Sequence, residues 1–274
     1  MISGELFQSL AQISFCTDVP EIIFNQAQSM PQRLALIDET SEQDIKNYKT
    51  VYIYTQFLDH FFAKFYDHLT EGTTIISHNS DYAVEERHLK YLAGNKIKAW
   101  YCQNREVHHE KLFSLPIGLA NSQWPHGNQQ LITNIRDKNN TKEYLVYKNF
   151  DINTNTYERT TCHYITQQNN IPLSTHTTIE NYWTVLSKSI FAISPPGNGI
   201  DCHRIWEALF LRTVPIVKYH EAFSQFKHLP ILFVNSWEEV TIPFLKEKSK
   251  DYINKPEMFD IPLLDIDYWK QLIV

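Results

Sequence analysis

The chain has 274 residues, 43% of them apolar and 14% aromatic, with a formal net charge of −6. That length suits two domains of ordinary size, or one large one, with a buried core. The acidic balance and the lack of any basic block argue against a nucleic-acid or anionic-membrane surface.

In chain order, the first half alternates short β-branched or aromatic runs with helical stretches. Strands are predicted at 51–56, 73–77, 97–102 and 112–116, with helices at 57–69 and 84–92. A mildly low-complexity Asn/Gln/Thr-rich stretch, 128–141, then reads as a polar linker. The second half repeats the grammar. Its strands fall at 144–149, 190–194, 215–218 and 231–234, and its helices at 157–168, 179–187, 202–211 and 237–248. A last helix is expected over 264–272. Alternating strands and helices signal parallel α/β sheets, so the fold class is α/β with two Rossmann-like domains. Two such halves joined by a linker imply a central cleft, with ligands bound beyond the carboxyl ends of the strands. The expected boundaries are 1–135, 136–260 and a C-terminal helix in 261–274 that returns to the first domain.

Cys16, Cys102, Cys162 and Cys202 form no C-x-x-C pair and no metal-ligand spacing, so they read as scattered thiols of a reducing compartment. The first residues, MISGELFQSLAQISF, lack a basic n-region and a long apolar run. No window offers eighteen uninterrupted apolar residues. The expectation is a soluble cytoplasmic protein with no membrane span and no nucleic-acid partner.

Two loops carry unusual chemistry. In the second half, SPPGNG (194–199) follows the apolar run IFAI. Pro195 and Pro196 stop the strand, and Gly197 and Gly199, around Asn198, allow a ligand to approach the backbone. Asp201 reads as the N-cap of the next helix, whose free N–H groups and positive dipole end suit a phosphate. His203, Arg204 and Glu207 share one polar arc of that otherwise apolar helix. Charges on a largely buried helix are costly unless paired or bound to a ligand. Arg204 suits bidentate phosphate contact, and Glu207 could accept from ribose hydroxyls. An internal Arg204–Glu207 ion pair is the plainer alternative. Arg159, on the first helix of this half, is either a further phosphate contact or a solvated helix-face residue.

In the first half, His78, Asn79, Ser80 and Asp81 cluster just past a strand, before a helical stretch opening at Tyr82. Helix capping would explain them, and so would a place in the cleft. Further on, Trp124 and His126 lie in a polar loop containing Gly118 and Gly127. Trp124 is either a sugar-stacking platform or a buried loop anchor. Asn79, Trp124 and His126 are the candidate acceptor or sugar contacts.

The segment 190–241 resembles the carboxyl-terminal part of exostosin-like glycosyltransferases of the GT-B fold. The shared pattern reads here as Asp201, Arg204, Trp206, Glu207, Ala208 and Leu209, followed by Pro215, Ile216 and Val217. Arg212 stands where such proteins usually carry Gly. The first-half loops also resemble a viral and microbial, xylosyltransferase-like subgroup. The resemblance implies a UDP-sugar donor, xylose foremost, with Glu207 on the ribose and Arg204 on the diphosphate. Ser194, Gly197, Asn198, Gly199, His203 and Arg159 would complete the donor site. Retaining relatives commonly carry a second Glu where Gly199 stands, which favours inversion. An inverting displacement needs a base for the acceptor hydroxyl, for which Asp81 is first and His78 second. It also needs charge to stabilise the leaving diphosphate, so no metal or other cofactor is expected. The one D-x-D, Asp265–Asp267, reads as a helix start. Two alternatives remain: a GDP-fucose-type fucosyltransferase, and a non-catalytic glycan- or nucleotide-binding protein. The expected partners are a UDP-sugar and a glycan or other hydroxyl acceptor.

Overall fold

The computed structural model describes residues 1–15, 33–175 and 178–274. Cys16 lies outside the described residues. The chain divides into two compact α/β units, Met1–Gly127 with Asp265–Val274, and Asn128–Leu264.

The first unit is built on a six-stranded parallel sheet. Its strands are β1 (Ile13–Phe15), β2 (Leu34–Ala35), β3 (Thr50–Tyr54), β4 (Thr73–His78), β5 (Ile97–Cys102) and β6 (Leu112–Ser114). Their order is β2-β1-β3-β4-β5-β6. Successive side chains of a strand point to opposite faces, so each strand supplies two layers. One face carries Val51, Ile53, Ile75, Trp100 and Cys102. They pack with Phe61, Phe62 and Phe65 of the Leu58–Phe65 helix in the main core. The other face carries Tyr52, Ile76 and Tyr101, aligned in register across β3, β4 and β5. Helices Gly4–Ser9 and Ile266–Ile273 belong to this unit, where the Trp269 ring meets Phe7 at 5.6 Å and Tyr101 at 6.4 Å. Tyr101 also donates its hydroxyl proton to the Leu272 carbonyl at 3.2 Å.

The second unit holds four parallel strands in the order β10-β9-β8-β7: β7 (Tyr144–Tyr147), β8 (Ser189–Ile193), β9 (Val214–Lys218) and β10 (Leu232–Val234). Helices Thr156–Gln168 and Ile179–Ser187 join β7 to β8, and helix His203–Phe210 joins β8 to β9. The central strands β8 and β9 are almost wholly buried, as parallel sheets require, whereas the edge strand β7 starts at exposed Tyr144.

Several expectations change. Residues 128–141 are not simply a linker: Gln129–Asp137 is a helix capped by Asn128, whose side chain accepts from Leu131 N–H at 3.0 Å. Its buried Ile132 and Ile135 face helix Ile179–Ser187. Residues 84–92 form a 3-10 turn over Glu86–Leu92, with Glu85 as N-cap, rather than a helix opening at Tyr82. The stretch 237–248 is split, because Trp237–Glu239 closes in its own capping box and a new helix, Ile242–Ser249, starts after Thr241. Strands β1 and β2 and helix Gly4–Ser9 add to the expected elements. Asp265 caps Ile266–Ile273 by accepting from Asp267 N–H at 3.0 Å, so the D-x-D is a helix start.

Candidate functional site

In the second unit, the carboxyl ends of β7, β8 and β9 carry the loops of interest. The loop after β8 is fixed from its flank by the first turn of helix Thr156–Gln168. Asn155, in the left-handed region at φ 59°, donates to the Gly197 carbonyl at 2.8 Å. Arg159 donates from Nε to Pro196 O at 2.8 Å and from Nη1 to Asp151 O at 2.9 Å. A Cβ on Gly197 would sit 3.4 Å from Arg159 Nη2. Arg159 is therefore buried rather than solvated, and it holds two loops together. Burial lowers its pKa, with Arg204 adding to the effect. Ser194 is buried, with its hydroxyl bonded to the Ala192 carbonyl at 3.1 Å. Asn198 is exposed at the tip.

Asp201 does not cap the helix. The helix starts at His203 with Cys202 as N-cap and no side-chain cap bond. The Asp201 carboxylate instead accepts from Trp206 Nε1–H at 2.8 and 2.9 Å. This buried pair ties the loop to the helix it precedes. An indole N–H without that partner would be a buried orphan donor.

The alternative, an internal Arg204–Glu207 ion pair, is not made. Glu207 is buried and accepts the Tyr182 hydroxyl proton on Oε2 at 2.5 Å. Burial raises the Tyr182 pKa well above its ordinary value, with Glu207 next in effect, so the phenol stays a donor. Arg204 is half-buried, its Nε is buried without a hydrogen bond, and no hydrogen bond or ion pair of its guanidinium occurs among the described residues. Burial disfavours its charge, but Tyr182, Cys202, Tyr147 and Glu207 together raise its pKa. Burial pushes the Cys202 thiol up to about 11 and raises both phenols, so these three neighbours carry no charge near neutrality. One helix thus presents an unpartnered guanidinium and a carboxylate with one bonded oxygen. Such a cation is normally matched to a ligand anion or penalised. Tyr182 and Tyr147 have no local sequence signal; only the fold brings them to Glu207.

A pocket of about 280 Å³ opens at the same strand ends, lined by Asn155, Glu158, Pro196, Ile200, Lys218 and Tyr219 among others. Arg204 and Glu207 do not line it. Glu158 is anchored there by Trp237 Nε1–H at 2.9 Å and by Lys218 at 3.3 Å.

Arg212 lies at φ 59°, the left-handed position where glycine is favoured. Thr213 N–H reaches Ala208 O at 2.8 Å and Arg212 N–H reaches Leu209 O at 3.1 Å, a complete Schellman ending. The helix therefore stops as it would with Gly, and the side chain bonds Asn139 Oδ1 at 2.5 Å.

In the first unit the polar loop after β4 has structural duties. Asn79 N–H donates to His78 Nδ1 at 2.8 Å, which leaves Nε2–H to donate to Pro116 O at 3.1 Å. His78 is fully buried beneath Phe7, ring to ring 5.2 Å, with both nitrogens engaged, so it is not free to accept a substrate proton. Asn79, at φ 55°, receives Asn121 Nδ2 at 3.3 Å and abuts Gly4, where a Cβ would fall 1.8 Å from its Oδ1. Asp81 is exposed, and its backbone carbonyl accepts from Asn104 at 3.3 Å. Gly118 has φ 69° because Leu119 N–H must reach Ile2 O at 2.9 Å. Buried Glu5 then fixes Ser122 through two hydrogen bonds, 3.1 and 2.9 Å. On the loop so fixed, Trp124 is 56% exposed and stacks with His126 at 6.3 Å. That exposure excludes the buried loop anchor.

Residues 131–258 match the family model of the RXYLT1 C-terminal domain. The chain is similar there to a xylosyltransferase-like glycosyltransferase family. The match runs through nearly all of the Asn128–Leu264 unit and includes none of residues 1–127. No curated protein matches the chain. Among the described residues, no helix is long and apolar enough to cross a membrane, and no three His, Cys, Asp or Glu side chains group as metal ligands.

Proposed function

We propose that the chain is an exostosin-like glycosyltransferase of the GT-B type that transfers a sugar, xylose foremost, from a UDP-sugar to a glycan or other hydroxyl acceptor. The observation that carries this reading is the Arg204 guanidinium, without a partner among the described residues, one turn before buried Glu207. Both lie within the span similar to the RXYLT1 C-terminal domain. In this reading Asn128–Leu264 is the donor unit. Arg204 grips the diphosphate, the uncapped start of helix His203–Phe210 adds N–H donors, and Glu207 accepts from ribose hydroxyls through its other oxygen. Tyr182 holds the Glu207 carboxylate in one rotamer. Arg159 acts indirectly, by shaping the 194–199 loop.

The reaction is a single inverting displacement at the anomeric carbon. Asp81 takes the acceptor hydroxyl proton as the new C–O bond forms, and UDP leaves with the electron pair of the broken C–O bond. Arg204 and the helix N–H groups stabilise that leaving charge, so the reading calls for no metal. Trp124 offers its exposed face to an acceptor sugar.

The test is UDP-xylose hydrolysis together with thermal shift by UDP and GDP. The proposal expects a larger shift with UDP, and hydrolysis that Asp81→Ala abolishes while UDP binding is retained. A larger shift with GDP favours a GDP-fucose donor, and binding without turnover favours a nucleotide-binding protein.

A further inference from the structure

A larger cavity, about 430 Å³, lies at the opposite edge of the second unit's sheet, where β8 and β9 begin. Four cationic side chains line it: Arg136, Lys142, Arg212 and Lys255. No carboxylate forms an ion pair with any of them among the described residues. Arg136 lies over the Phe210 ring at 4.5 Å, a contact that fixes its plane without neutralising it. Lys142 donates to Ser187 O at 2.8 Å and to Thr213 Oγ1 at 2.9 Å, both neutral acceptors, and one of its three N–H bonds remains. Among the described residues, Arg212 hydrogen-bonds only the neutral Asn139 amide. Asp137 and Asp260 act on Arg136 from a distance, but burial and the Arg212 charge outweigh them. Burial and Arg212 likewise hold the Lys142 ammonium down to about 7.

Arg212 gives a second, independent indication. A bulky side chain at φ 59° is an unfavourable choice for a helix end that glycine would serve. Strain retained at one residue points to a use for its side chain. Here that side chain completes the cationic lining. Apolar residues such as Ile190 and Phe259 and neutral polar ones such as Asn140 share the remaining wall, so the cavity suits an anion with a carbon body.

We propose that this cavity is a second binding site, for a small dianion of the phosphate-monoester class. Four cationic side chains on one cavity, with no ion-paired carboxylate among the described residues, favour two negative charges over a single carboxylate, and the guanidinium forks match phosphate oxygens. The site lies at the amino edge of the strands, so its occupant does not compete with a ligand held by Arg204.

The test is calorimetric titration of inorganic phosphate at fixed ionic strength, with UDP as competitor. The wild type is expected to bind phosphate saturably and UDP not to displace it. Arg136→Gln combined with Arg212→Gly should weaken phosphate about ten-fold or more and leave UDP affinity unchanged. Lys255→Gln, at an exposed residue whose side chain makes no hydrogen bond or ion pair among the described residues, should weaken it about two- to three-fold. Absence of saturable binding, equal affinity in both variants, or displacement by UDP would each overturn the proposal.

Discussion

Arg204→Met should move stability and ligand binding in opposite directions. In the folded chain the Arg204 Nε is buried without a hydrogen bond. An unsatisfied buried donor costs about 1–3 kcal/mol, and water at the half-exposed end of the guanidinium recovers part of that. Methionine keeps most of the side-chain volume and removes both the orphan donor and the charge. The loss of attraction to Glu207 offsets part of the gain, so the net expectation is about 0.5–1 kcal/mol of stabilisation, or about 1–2 °C in Tm. For binding, two charge-assisted hydrogen bonds to a diphosphate disappear, worth together about 2–4 kcal/mol. The Kd for UDP should rise about 30- to 1,000-fold. Thermal unfolding and UDP calorimetry on the same preparations read both quantities. A Tm that falls by several degrees with UDP affinity unchanged would refute the reasoning, because Arg204 would then be a structural residue.

Three further outcomes follow from the same geometry. Arg212→Gly should stabilise the fold by about 0.5–1 kcal/mol in urea unfolding, since it relieves the left-handed backbone and loses only an exposed bond to Asn139. Asp201→Ala should cost about 1–3 kcal/mol by orphaning Trp206 Nε1–H, and Asp201→Asn should recover part of that through its remaining oxygen. Lys142, held near 7 in the fold against about 10.4 when unfolded, binds fewer protons folded than unfolded between those values. Its contribution therefore rises with pH across that window, so the wild-type stability measured at pH 9 relative to pH 7 should exceed the same difference in Lys142→Met.

The sheet-forming segments were legible because their apolar runs were bounded by turn residues, as with IFAI before SPPGNG. What escaped was short or polar. Strand β1 is only ISF, too brief to show a period, and β2 is two residues long. Helix Gln129–Asp137 was hidden by its Asn/Gln/Thr composition, although Leu131, Ile132 and Ile135 carry the helical spacing. At the site, the polar arc of His203–Phe210 was visible in the residues, but its partners were not. The Asp201 carboxylate looked like a cap because local rules favour capping, and the buried Trp206 indole claimed it instead. Tyr182 reaches Glu207 across 25 residues, a contact set by the packing of two helices. The His78–Asp81 cluster looked functional because four polar side chains beyond a strand need a reason. His78 and Asn79 have one in the Pro116 carbonyl, Asn121 and Gly4.

The most direct test of the donor assignment is saturation-transfer NMR of nucleotide sugars on the full chain, comparing UDP-xylose and GDP-fucose on wild type and Glu207→Gln. The account predicts that UDP-xylose is saturated most strongly on its ribose protons in the wild type and that this signal collapses in Glu207→Gln. A wild type that saturates neither nucleotide sugar, or a ribose signal unchanged in Glu207→Gln, would contradict it.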